Sequence, residues 1–233
     1  MDSQQIKRAL VTGGNRGIGF AISKGLLAAG YQVILTSRSL DGAQQAASKL
    51  GEGVMPIALD VSDDDSIEAA VKTLTQSIDH LDILINNAGV YPDKNIDILT
   101  ISRDVLEVAL QTNALGVIQM VQRFLPLLEA SPEARVINVS SGMGSINGLT
   151  TTAPSYCLSK LALNGATIML SQSLQSKGIA VNSVGPGWVK TDMGGGSAPR
   201  TPEQGADTVI WLATEVPHKE TGKFWRDRAV ISF

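Results

Sequence analysis

Ala9-Leu10-Val11-Thr12-Gly13-Gly14-Asn15-Arg16-Gly17-Ile18-Gly19 decides how the rest of the chain reads. An uninterrupted apolar run predicts a short strand buried on both faces. Glycines at 13, 17 and 19, in a G-x-x-x-G-x-G spacing, predict a tight turn, and the stretch from about Gly17 to Ala29 predicts a helix. Small residues in such a turn let backbone N–H groups approach an anion at a helix N-terminus, where the peptide dipoles favour negative charge. A strand–glycine turn–helix corner of this kind is what holds the pyrophosphate of a dinucleotide in an open parallel sheet.

Outward from that corner, short apolar runs alternate with helical patterns. Strands are predicted at Tyr31–Thr36, Val54–Leu59, Leu81–Ile85, Arg135–Val139, Ile179–Val184 and near Arg228–Ser232. Helices fill the gaps, roughly over 41–50, 63–78, 102–129, 155–176 and 202–214. The 102–129 stretch needs a break, since Thr112-Asn113 interrupts its pattern and Pro126 lies near its end. Strands rich in β-branched residues alternating with helices predict an α/β fold: a Rossmann-type doubly wound parallel sheet of about seven strands with helices on both faces. No Pro/Gly/Ser-rich linker or 20–50-residue repeat divides the chain, so residues 1–233 read as one domain. The glycine-rich stretch 185–200 follows the sixth strand and reads as a mobile substrate loop, with Gly194-Gly195-Gly196 as its pivot.

Composition excludes several classes. Hydrophobic residues make up 43% and charged residues 18% of 233, which rules out intrinsic disorder. A net charge of −3 argues against a nucleic-acid or polybasic membrane surface. Cys157 is the single cysteine, so no intrachain disulfide forms, and no Cys/His set has metal spacing. Met1–Gln5 are polar and lack the basic start and apolar stretch of a secretory leader; together with the lone thiol this predicts a cytoplasmic protein. His80 and His218 sit in polar surroundings and read as surface residues.

The second predicted strand bears on which nucleotide would fit. A site for NAD needs a carboxylate at its end to accept hydrogen bonds from the ribose 2′-hydroxyl. Here the strand ends Thr36-Ser37-Arg38-Ser39, with no acid before Asp41. A guanidinium grips a 2′-phosphate with parallel hydrogen bonds, so Arg38, joined by Arg16 from the glycine turn, predicts NADP(H).

At this point the chain resembles the single-domain short-chain dehydrogenases/reductases. The residues that carry the resemblance are Thr12 to Gly19, Leu59-Asp60-Val61, Asn86-Asn87-Ala88-Gly89, Asn113, Ser140-Ser141, Tyr156-Cys157-Leu158-Ser159-Lys160 and Pro186-Gly187-Trp188-Val189-Lys190-Thr191. Within the family it is most similar to the NADPH-dependent carbonyl reductases, through Pro186 to Met193, Thr201 to Ala206 and Thr221 to Phe224. It lacks the long insertion of the animal monomeric members: only 14 residues separate Ser141 from Tyr156. The resemblance implies a cofactor site of Gly13, Asn15, Arg16, Gly17, Ile18, Gly19, Ser37, Arg38, Asp60, Val61, Asn87, Ala88, Gly89, Tyr156, Lys160, Pro186, Gly187, Val189 and Thr191. In it Asp60 meets the adenine amino group, Val189 and Thr191 hold the nicotinamide carboxamide and nearby phosphate, and Lys160 binds the ribose.

Tyr156 and Lys160 stand four apart on one helical face. A cation nearby favours the phenolate and lowers a phenol from its ordinary pKa near 10. Tyr156 is therefore expected to exchange a proton with a carbonyl or alcohol oxygen. By the family pattern Ser141 hydrogen-bonds that oxygen, and the Asn113 carbonyl, freed at the helix interruption, holds a water behind Lys160. Met143, Ile146, Leu149, Trp188 and Met193 are candidates to wall an apolar substrate pocket. The favoured activity is reduction of a small ketone or aldehyde. Reduction of a carrier-bound 3-oxoacyl thioester, which would use basic residues such as Lys190, Arg200 and Lys223, is the rival; a non-catalytic NADPH-binding regulator is the third reading. Apolar positions around helices 102–129 and 155–176 predict a homo-oligomer, dimer or tetramer.

Overall fold

The computed structural model describes residues 6–233; Met1–Gln5, expected to be a polar lead-in without a leader, lie outside the described residues. In chain order the elements are β1 (Arg8–Val11), α1 (Gly17–Ala28), β2 (Gln32–Ser37), α2 (Leu40–Leu50), β3 (Val54–Ala58), α3 (Asp64–Leu74) and β4 (Ile83–Asn86). Then follow α4 (Arg103–Leu110), α5 (Gly116–Glu129), β5 (Arg135–Val139), α6 (Pro154–Leu174), β6 (Ala180–Val184), α7 (Pro202–Thr214), β7 (Phe224–Arg226) and β8 (Ala229–Ile231).

The sheet runs β3-β2-β1-β4-β5-β6-β7-β8, parallel throughout except for the antiparallel β7–β8 pair at the edge. This is the doubly wound order, and its reversal falls between β1 and β4, where Leu10 pairs with Leu84 and Val11 with Ile85. Successive side chains of each strand point to opposite faces. Leu10, Ile34, Leu84, Val136 and Val181 join one core with α3 and α5, whereas Val11, Leu35, Ile85, Ile137 and Val139 join the other with α1 and α7. Each fully buried aliphatic side chain contributes roughly 1.5–3 kcal/mol, which lets the sheet carry a polar catalytic edge.

Three expectations change. The last strand is two strands: Phe224–Arg226 completes the parallel set beside β6, and the predicted strand near 228–232 folds back on it as β8. The reversal passes through Asp227 and Arg228, both at positive φ (51° and 60°), so Arg228, expected to open the last strand, lies in the hairpin turn instead. The break in 102–129 falls at a single π turn, Gln111–Leu115, while Pro126 lies within continuous helix. His80 is buried, not on the surface: Nδ1 lies 2.7 Å from Asp79 Oδ1 and 2.9 Å from Arg8 Nη1, and Nε2 lies 3.1 Å from the Ile6 carbonyl. The polar surroundings seen in the sequence are its hydrogen-bond partners beneath the start of β1. His218 is half-buried against the Ala134 carbonyl.

Candidate active site

The glycine turn forms a cradle at the carboxyl end of β1. Gly13 and Gly17 sit at φ 62° and 54°, where a side chain would be strained, and a Cβ on Gly19 would come within 2.3 Å of the Gly13 carbonyl oxygen. The start of α1 carries no side-chain cap and no acid in its first turn. By contrast α2 is capped by Ser39, α3 by Asp63, and α7 by a Thr201–Gln204 capping box. An uncapped helix N-terminus behind a glycine turn suits the pyrophosphate of a dinucleotide, and the residues present fit that group.

Asn87 carries this cradle from the neighbouring strand. Its Nδ2 donates to the carbonyls of Thr12 (2.9 Å) and Gly13 (3.2 Å), while Thr12 Oγ1 accepts from the N–H groups of Asn87 and Ala88, both at 2.9 Å. Asn87 thus shapes the cradle instead of pointing into it. Thr12, absent from the expected site, is the pin between the strands on either side of the reversal.

Around the rim, Asp60 Oδ1 accepts from Ser62 N (2.9 Å) and Ser62 Oγ (2.6 Å), and its Oδ2 takes no hydrogen bond among the described residues. The α3 cap is Asp63, which leaves Asp60 available to a ligand. Val61 is buried, and a Cβ on Gly116 would come within 2.2 Å of its carbonyl oxygen, so α5 packs directly beneath this rim. Ser37 Oγ donates to the Ser39 carbonyl. Arg38 is exposed and makes no hydrogen bond or ion pair among the described residues. Arg16 instead pairs with Asp192 at 2.5 Å, both side chains being largely exposed.

Gly89 connects the cradle to the second half of the site: a Cβ there would stand 3.1 Å from Asn113 Oδ1 and 3.6 Å from Lys160 Nζ. Tyr156, Lys160 and Asn113 are buried together. Lys160 Nζ donates to the Val139 carbonyl at 2.8 Å and lies 5.9 Å from the Tyr156 ring centroid. Burial pushes the ammonium down to about 8. Burial also pushes the Tyr156 phenol up to about 12, against the opposing pull of a hydrogen bond with Ser141. Desolvation is the larger effect, so the depression of the phenol expected from Lys160 is not what the chain's own groups produce. Ser141 also accepts from Met143 N (3.2 Å), whereas Ser140 Oγ is buried without a partner among the described residues.

Asn113 lies on the π turn, as the interrupted pattern implied, and its amide is fully engaged. Oδ1 accepts from Val90 N (2.8 Å); Nδ2 donates to the Val90 carbonyl and to Ser159 Oγ, both at 2.9 Å. Two side chains the sequence did not single out complete the cluster. Tyr91 stacks on Tyr156 with ring centroids 4.5 Å apart, and Asp93, fully buried, accepts from Ser155 N at 2.5 Å and Tyr156 N at 3.4 Å. Asp93 is 62 residues from Ser155, so no local pattern could reveal the contact.

The 185–200 loop is tied at its root. Val189 and Arg200 form a bridge, and Arg200 donates to both oxygens of Asp227 at 2.6 and 2.8 Å and to the Pro186 carbonyl at 3.4 Å. Gly187, at φ 80°, lies against the Arg200 side chain. Thr191 lies against Gly17, its Cγ2 3.1 Å from a Cβ built there, and its hydroxyl accepts from Gly194 N. Of the candidate wall residues, Met143 packs on the Tyr156 cluster, while Ile146, Leu149, Trp188 and Met193 are exposed and belong to neither core.

The chain is similar over most of its length to known proteins. Short-chain dehydrogenase anuI of Penicillium roqueforti is 35% identical over 91% of this chain and 90% of its own length. The 3-oxoacyl-[acyl-carrier-protein] reductase FabG of Vibrio harveyi is 36% identical over 80% of this chain and 75% of its own. The structure of an NADPH-bound carbonyl reductase from chicken fatty liver superposes with a TM-score of 0.89 at 30% identity, covering 98% of this chain and 99% of that one. The model of the short chain dehydrogenase family matches residues 7–201, from β1 through the far end of the loop after β6. With its glycine cradle at the sheet reversal and its buried tyrosine–lysine pair, the chain belongs to the short chain dehydrogenase family and is an oxidoreductase of that family.

Proposed function

We propose that the protein reduces a small ketone or aldehyde with NADPH, Tyr156 donating the proton. The observation that carries this reading is the convergence of half-buried Ser141 with buried Tyr156 and Lys160 beside the cradle, with Asn113 holding Val90 and Ser159 next to them. When bound, the nicotinamide nucleotide supplies the hydride and, once oxidised, a positive charge beside the phenol. A phenol held near 12 keeps its proton across the neutral range and is a donor in waiting. Ser141, in contact with that phenol, can hydrogen-bond the substrate oxygen as negative charge develops, an effect worth about 2.7–4 kcal/mol in comparable sites. The Lys160 ammonium, fixed by Val139, stabilises the phenolate left after transfer and would hold the ribose hydroxyls.

NADP(H) is favoured by Arg38, an exposed cation with no protein partner among the described residues, at a strand end that carries no carboxylate. Asn15, Ile18, Ala88, Gly89, Pro186, Gly187, Val189 and Thr191 would line the rest of the nucleotide. The carrier-thioester alternative loses support because two of its three basic residues are engaged, Arg200 by Asp227 and Lys223 by Glu220. Intact Asn113, Ser141, Tyr156 and Lys160 speak against a non-catalytic regulator. Exposed Val108, Leu115, Leu158 and Met169 lie on α4, the π turn and α6, as in a homo-oligomer, and a cytoplasmic setting agrees with the unpaired Cys157 thiol.

A panel of ketones, aldehydes and 3-oxoacyl thioesters, followed by NADPH and NADH consumption in parallel, tests the reading. Turnover of free carbonyls with NADPH is expected. Faster consumption of NADH, or turnover confined to thioesters, would replace it.

A further inference from the structure

We infer that Asp93 is a positioning residue for Tyr156, its carboxylate serving as the N-terminal cap of the catalytic helix and setting the height of the phenol in the site. The inference rests on the reading of Tyr156 as the proton donor. The residue in the N-cap position of α6, Ala153, offers no side-chain hydrogen bond, yet the helix runs for 21 residues with Tyr156 in its first turn. The first N–H groups of a helix have no partner inside it. Asp93 supplies one from another part of the chain, accepting from Ser155 N at 2.5 Å and Tyr156 N at 3.4 Å through a single oxygen, Oδ2. Its other oxygen, Oδ1, is buried without a partner among the described residues. A carboxylate that is fully desolvated and half-satisfied is costly to keep, and the backbone of the catalytic tyrosine is what it holds.

The segment around Asp93 is built as a strut. Asn113 clamps both backbone groups of Val90 at one end, and Tyr91 lies flat on the Tyr156 ring. Pro92 restricts the backbone between them. Asp93 closes the other end, its own carbonyl accepting from Ile96 N at 3.0 Å. Asn113 also reaches α6 through Ser159, whose hydroxyl donates to the Tyr156 carbonyl at 2.9 Å. The peptide units of Tyr156 are thus fixed on both sides, by Asp93 at the N–H and by Ser159 at the carbonyl. The titratable groups packed around the phenol are Tyr91, Cys157, Lys160 and Asp93.

The test compares Asp93→Ala, Asp93→Asn and Tyr156→Phe in the intact protein. Removing the cap should lower kcat about tenfold or more, since small misplacement of a reacting group has large effects, with NADPH affinity by cofactor fluorescence within about twofold of wild type. Asparagine keeps an acceptor for Ser155 N and should restore most of kcat. A second readout is independent of turnover: ultraviolet titration of Asp93→Ala with and without Tyr156→Phe isolates one phenol among three tyrosines. Uncapping should admit solvent and bring that titration down from about 12 toward the ordinary value near 10. Wild-type kcat and an unmoved titration in Asp93→Ala, with Tyr156→Phe inactive, overturn the role of Asp93 alone. Equal loss in the alanine and asparagine variants also overturns it as a hydrogen-bonding cap. Full activity in Tyr156→Phe removes the proton-donor reading and this inference with it.

Discussion

Two helix N-termini serve the site, and they are finished in opposite ways. That of α1 is left open behind a glycine turn, without a capping side chain or an acid in its first turn. That of α6 is closed by a carboxylate brought from the loop after β4. The open end offers partial positive charge to a ligand that arrives with its own negative charge. The closed end has no ligand to wait for; its task is to hold a phenol still. Their surroundings differ in the same sense. The cations near the α1 end, Arg16 and Arg38, are exposed at the surface. Tyr156 and Lys160 are buried, so desolvation moves both from their ordinary values, the phenol up and the ammonium down.

Perturbing each end separately should give separable effects. The largest is at the closed end, where Tyr156→Phe removes the proton donor; turnover should fall by about 10²- to 10⁴-fold while NADPH still quenches protein fluorescence. A comparable loss of nucleotide binding would show that the two ends are not independent. Next is Lys160→Met. Because burial lowers the ammonium from 10.5 to about 8, the unfolded chain holds that proton more tightly than the native one between these values. The wild type should therefore gain up to about 3 kcal/mol from this group as pH rises from 8 to 10.5. Thermal melts of Lys160→Met should lack this rise, and the variant should be inactive yet no less stable at pH 7. An identical pH dependence in both proteins would contradict the desolvation account.

At the open end, Arg38→Ala should reduce the preference for NADPH over NADH by about tenfold to a hundredfold, read from kcat/KM for each cofactor with kcat little changed. An effect on kcat alone would place Arg38 elsewhere. The smallest effect belongs to a helix cap that is neither of these two ends. Thr201→Ala opens the α7 capping box and should cost about 1 kcal/mol, lowering the melting midpoint by roughly 2–4 °C with cofactor affinity intact.

Much of this was legible because it is local. The G-x-x-x-G-x-G turn, its flanking strand and helix, and the missing carboxylate after β2 lie within single stretches of chain, and backbone geometry follows from them. The helix interruption at Asn113 was also visible, and it became a π turn, a form often found at functional sites. The C-terminal hairpin was read as one strand near 228–232 because Phe224-Trp225-Arg226 is too short to show a pattern of its own; positive φ at Asp227 and Arg228 marks the turn between the two strands. His80 was misread because polar neighbours look the same whether they are solvated or folded around a ring.

By itself the amino-acid order determined the layered α/β architecture, the anion-accepting corner and the tyrosine–lysine spacing, since these depend on periodicity and on what glycine and β-branched residues permit. Only the folded chain decided that Asn87 builds the cradle, that Arg16 meets Asp192 while Arg38 finds no partner among the described residues, and that Asp93 closes α6. Those contacts join residues from 62 to 176 positions apart, and desolvation, which sets the phenol and ammonium against their ordinary values, exists only once the layers have closed over them.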